Sequence, residues 1–177
     1  MKNAMKEFDI NFSALKTGTH KFNYEFGSQF FTDFGNLSFD DVKLKAEVQL
    51  EKKENALELH FSIQGDAFLY CDITNEGFWH PLKSETNLQV KFGEAFDDTN
   101  EEILILPHGE HSLNIAQYLY ELAILAKPFK VVHPDVLAGK KGQKELQKLE
   151  ELSPENKNEE NTEEIDPRWN KLKDLLN

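Results

Sequence analysis

The residues in this chain that could do chemistry are one cysteine, six histidines and a large surplus of carboxylates. Cys71 stands between Tyr70 and Asp72, with Thr74 three residues on. A lone thiol forms neither an internal disulfide nor a C-x-x-C redox pair, and it offers no thiolate cluster to zinc. Free cysteine is among the most buried residue types, so Cys71 is expected to be a half-buried structural residue. His108 and His111 are spaced H-x-x-H with Glu110 between them. Two such imidazoles could contribute to a zinc site. A third and fourth ligand are not evident, and His133 counts only if folding brings it close; exposed turn residues are the plainer expectation. Asp97, Asp98, Glu101 and Glu102 form an acidic cluster without the D-x-D-x-D-G spacing of a calcium loop. No phosphate-binding glycine loop, nucleophile elbow or Ser-His-Asp order stands out. The residues therefore assign no catalytic group, no metal and no cofactor.

Arg168 and Trp169 offer a different chemistry, because Arg and Trp are the side chains most enriched at binding hot spots. Asp166 is suited to cap a helix, and Pro167 suits the first helical position, where its missing N–H costs nothing. Trp169, Leu172 and Leu176 then share one face, with Lys171 beside them. An isolated helix of about three turns is marginal in water, so this segment must dock on something. Two readings stand side by side: a hook for a partner, built from Asp166, Pro167, Arg168, Trp169, Lys171 and Leu172, or a clasp folded back on the parent domain.

The elements that must position these residues begin with alternating apolar runs. Phe8, Ile10 and Phe12 alternate with polar residues, as do the aromatic positions of 20–26. Phe30, Phe31 and Phe34 fit one side of a short helical turn ended by Gly35 and Asn36. Val42, Leu44, Ala46, Val48 and Leu50 give the clearest strand, residues 52–55 a hairpin loop, and Leu57, Leu59, Phe61 and Ile63 the returning strand. Gly65 and Asp66 read as the next turn. Phe68, Leu69 and Tyr70 open another run, closed by residues 75–77. Residues 78–82, then Leu88, Val90 and Phe92, and then 103–106 read as further short strands. Spacing this short predicts antiparallel pairing, since parallel crossovers need a dozen or more residues. Asn114 with Gln117 three residues later predicts a capping box. Ile115, Tyr118, Leu119, Leu122 and Leu125 follow as one apolar helical face, stopped by Pro128. The expected fold is α+β: an antiparallel β meander, curled or partly barrel-like, covered by a helix. Residues 1–137 would form this domain. Residues 138–165 carry no aromatic and would be a charged, flexible linker, helical in part around Leu146, Leu149 and Leu152. Residues 166–177 would be the C-terminal helix.

Fourteen phenylalanines supply a substantial core. The formal charge of -12 argues against broad nucleic-acid binding, which draws on Lys and Arg neutralising phosphates. It suits a basic protein partner, whose complementary field speeds encounter, and it equally suits plain solubility. Residues 1–10 lack the apolar run of a signal peptide, and no stretch approaches the roughly 20 apolar residues that span a bilayer. The expectation is a cytoplasmic protein with no membrane partner.

The order of these pieces resembles the YceD-like family, bacterial and plastid proteins linked to accumulation of large-subunit ribosomal RNA. The resemblance is carried by the strand pair ending in Gly65, by Cys71-Asp72, and by Leu113-Asn114-Ile115 leading to the run from Glu121 to Pro128. It is completed by Asp166-Pro167-Arg168-Trp169 with Lys171-Leu172. Thr74 stands where the family commonly carries a second cysteine, and His133-Pro134-Asp135 where many members carry further cysteines, so a metal or redox role for those thiols does not transfer. The resemblance implies a non-enzymatic part in large ribosomal subunit biogenesis and rRNA accumulation. A basic ribosomal protein or a pre-50S particle is the partner that the acidic body suggests. Rival readings are a small-molecule-binding β-barrel and an assembly factor touching RNA directly through Lys140, Lys141 and Lys144.

Overall fold

The computed structural model describes residues 5–35, 39–100 and 102–153. The tail motif at 166–172, the rest of the expected C-terminal helix, and most of the second half of the expected linker lie outside the described residues. The described chain divides into two units, residues 5–71 with 76–131 and residues 72–75 with 132–153.

The larger unit is built on one five-stranded sheet. Its strands are β2 (Gly18–Gly27), β3 (Val42–Lys52), β4 (Ala56–Tyr70), β5 (Gly77–Gly93) and β6 (Ile103–Pro107), in that spatial order. A separate two-stranded pair joins β1 (Asp9–Ile10) to β7 (Leu113–Asn114). Among the described residues β2 and β6 are edges that do not meet, so the sheet is open and not closed into a barrel.

Alternation explains the register. Val42, Leu44, Ala46, Val48 and Leu50 are buried on one face, and Leu57, Leu59, Phe61 and Ile63 join them across the β3–β4 ladder. Each such side chain contributes roughly 1.5–3 kcal/mol on leaving water. Three sequence expectations are corrected here. Residues 65–66 are no turn, because β4 runs unbroken through them. Gly65 has φ +156°, and a Cβ there would collide with the Lys43 carbonyl oxygen, so the glycine lets β3 approach closely. Residues 77–93 are one strand, not two. Pro81 is tolerated because β6 pairs only with residues 89–93, leaving the flank of β5 near Pro81 unpaired among the described residues. Finally, β6 runs parallel to β5. Its short connection doubles back, and Asp97 bridges Ile105 from the far side with bonds of 2.8 and 3.1 Å, so β6 is inserted between β5 and its own connection.

Helix α2 (Ala116–Leu125) packs against β4 and β5, burying Ala116, Leu119, Leu122 and Ala123. Tyr118 stacks on Phe61 at 5.8 Å. Leu125 is 79% exposed and does not belong to the buried face. The capping box does not form. Asn114 Oδ1 accepts the Ala116 N–H at 3.0 Å, while Gln117 donates forward to Glu121 at 2.8 Å. The short helix α1 (Ser28–Asp33) delivers Phe30 and Phe31 into an aromatic cluster with Phe8, Phe26 and Phe39. Phe34 stacks on Tyr120 at 4.4 Å. This cluster accounts for much of the phenylalanine content, each good ring pair adding about 0.5–1.5 kcal/mol beyond burial.

In the smaller unit, His133 caps α3 (Pro134–Leu137) by accepting the Asp135 N–H on Nδ1 at 3.0 Å. Helix α4 (Gln143–Glu151) has no buried residue, and Leu149 is exposed, as the thin hydrophobic spacing of this segment predicts. Among the described residues no helix is long and apolar enough to cross a membrane.

Candidate functional site

The face of the sheet opposite α2 carries the larger unit's most distinctive surface chemistry. Strand periodicity sends every second residue there. At the end where β4 finishes and β5 begins, that face is aromatic, with lysines interspersed among carboxylates. Phe68 lies directly across from Trp79, with ring centroids 5.7 Å apart in an edge-to-face arrangement, and Phe68 meets Tyr70 at the same distance. Gly77 makes this possible, since a Cβ there would press into the Phe68 ring. Trp79 and Tyr70 remain 44% and 48% exposed. The Lys43 ammonium sits 5.3 Å from the centre of the Trp79 ring, a cation–π contact. The Tyr70 hydroxyl donates to the Asp40 carboxylate, and this bond pushes its pKa up. Beside these rings an open hollow of about 880 Å³ is lined by Glu25, Lys43, Lys45, Gln64, Asp66 and Lys83.

Toward the other end the same face turns acidic and amide-rich. Glu51 and Glu58 line one shallow hollow with His60 and Asn87, and Glu85 and Glu102 line a second. His60 Nδ1 lies 2.8 Å from Asn87 Oδ1. Glu47 and Glu58 are held by Lys21 at 3.0 Å and Lys53 at 2.6 Å. Such an array of carboxylates and amides suits cationic side chains.

The residues singled out from sequence are spread widely. Cys71 is buried at the end of β4, its N–H donating to the Glu76 carbonyl at 2.9 Å, more enclosed than the half-buried state expected. Asp72 belongs to the smaller unit and is exposed. Asn114 is a structural tie: its side-chain amide donates to Asp9 at 2.6 Å and to the Met5 carbonyl at 2.9 Å, pinning the N-terminal segment to the start of α2. Glu121 is exposed on α2, and Pro128 is half-buried just past its end. Among the described residues no three His, Cys, Asp or Glu side chains are grouped to hold a metal, and His133 is occupied in capping α3. The sequence reading missed Lys43, Phe68, Tyr70 and Trp79. The signal was available: carrying the β4 alternation through Gly65 puts Phe68 and Tyr70 on the polar face.

A family model described as "Large ribosomal RNA subunit accumulation protein YceD" matches residues 59–176. Comparison with curated proteins and with solved structures finds no match. The matched span runs from near the start of β4 through α2 and on past the described residues, two thirds of the chain, and the chain belongs to the YceD family of large ribosomal RNA subunit accumulation proteins.

Proposed function

We propose that this protein is a non-enzymatic, cytoplasmic factor in large ribosomal subunit biogenesis that holds a basic ribosomal protein or an assembly particle. The observation that carries this reading is the family match over residues 59–176. The charge of -12 and the carboxylate-lined half of the sheet face support a cationic partner. The tail residues Asp166, Pro167, Arg168, Trp169, Lys171 and Leu172 serve in this reading as the hook, joined to the 1–137 domain through the charged segment 138–165. Affinity co-purification from lysate at low salt tests it. Recovery of large-subunit ribosomal proteins or a precursor particle, lost as salt is raised, is expected; recovery of neither counts against it. Trp169→Ala separates the hook from a clasp. Lost binding with unchanged stability marks a hook, and retained binding with lowered stability marks a clasp.

A second reading is favoured by one observation, the Lys43–Trp79–Phe68–Tyr70 array. Exposed rings beside lysines on an open sheet suit stacking of unpaired RNA bases. Trp79→Ala together with Lys43→Ala would then abolish salt-sensitive binding of single-stranded ribosomal RNA, whereas no binding by the unaltered protein excludes it.

A further inference from the structure

The two edges of the sheet are treated differently. The β6 edge is covered by the Asp97 bridge to Ile105. The β2 edge, ten residues long, has no such cover: among the described residues the backbone hydrogen bonds of 19–26 run to β3 alone. Natural edges are blunted by a bulge, a proline, an inward-pointing charge or charged side chains such as Lys along the edge. β2 has only the last, Lys21 and Glu25, and these are of opposite sign, so they can pair across a second copy instead of repelling it. Its register with β3 is unbroken from Gly18 to Gly27, it contains no proline, and Lys21 and Glu25 both point to the outer face. His20, Phe22 and Tyr24 lie half-buried along its inner side.

The strand is also self-complementary. Two copies meeting antiparallel about a two-fold axis at Asn23 place Lys21 opposite Glu25 of the partner subunit, and Glu25 opposite Lys21 of the partner subunit. The same register sets Phe22 against Tyr24 of the partner subunit on the inner face. In every such pair both residues have the same parity along the strand, so pairs whose N–H and C=O groups point to the open edge alternate with pairs whose groups are spent on β3, as an antiparallel ladder requires. Shifting the axis by one residue either way puts neither charge opposite its counterpart. Each new ion pair would extend one already present, because Lys21 holds Glu47 at 3.0 Å and Glu25 holds Lys45 at 3.0 Å. We propose that the protein forms a two-fold dimer through β2, joining two five-stranded sheets into one ten-stranded sheet.

Charge exchange at the junction tests this with the full-length protein, by sedimentation equilibrium over a concentration series. Lys21→Glu alone sets Glu against Glu at both symmetric positions, and Glu25→Lys alone sets Lys against Lys; each is expected to weaken dimerisation about tenfold or more. Mixing the two variants restores opposite charges at both positions, as does the double variant, and both should recover the unaltered dimerisation. Both residues are exposed, and far-UV circular dichroism confirms that each variant folds. A monomer for the unaltered protein at every concentration overturns the proposal. So does a dimer indifferent to the single exchanges, or one that mixing fails to restore.

Discussion

Gly65 and two half-buried tyrosines show how single positions in this molecule are decided by what stands next to them. A Cβ at Gly65 has nowhere to go against the Lys43 carbonyl, and its φ of +156° is one that L side chains rarely adopt. Gly65→Ala should cost more than about 2 kcal/mol, read as a lowered denaturation midpoint with an unchanged slope. A neutral result would mean that β3 and β4 do not approach closely there. Tyr24 and Tyr118 both have their pKa raised, first by burial and then by nearby carboxylates, Asp9 for Tyr24 and Asp98 and Glu121 for Tyr118. The folded state therefore holds these phenolic protons more tightly than the unfolded chain. Their stabilising effect is complete below the ordinary tyrosine range near pH 10 and is lost as pH rises through the elevated folded values. Tyr24→Phe and Tyr118→Phe should flatten the alkaline end of the stability profile, measured by urea unfolding between pH 8 and about 11. An unchanged alkaline slope would contradict the burial of these rings.

At the scale of elements, legibility followed periodicity. β3 and the first half of β4 could be read because apolar residues alternate without a break and a polar loop separates them. The second half of β4 was hidden by Gly65-Asp66, a pair with turn chemistry that serves here as a close approach within a strand. β5 was split for a related reason, since Ser84 and Thr86 interrupt its apolar face. The direction of β6 was not legible, because alternation encodes faces and not polarity. A loop that doubles back through the Asp97 bridge allows parallel pairing where a helical crossover would normally be needed. Helix α2 was found from its spacing, but its exposed end was not. Leu119→Ala should therefore cost about 2–5 kcal/mol, as cavity-forming core changes do. Leu125→Ala should stay within about 0.5 kcal/mol, as surface changes do. Equal losses in chemical denaturation would mean that α2 presents a different face to β4 and β5.

The whole molecule joins a well-packed sheet-and-helix unit to a smaller helical unit and an acidic overall charge. The candidate surface was only partly legible. Its carboxylates were evident in composition, but their gathering opposite α2, beside a patch of exposed rings, is a product of strand register. With a net charge of -12, the proposed binding of a cationic partner should weaken steeply as salt is raised. The most direct test mixes the purified full-length protein with precursor particles of the large ribosomal subunit and separates them on a sucrose gradient at low and high salt. Co-sedimentation with the precursor at low salt and release at high salt are the expected result. Protein remaining at the top of the gradient at both salt concentrations would contradict it.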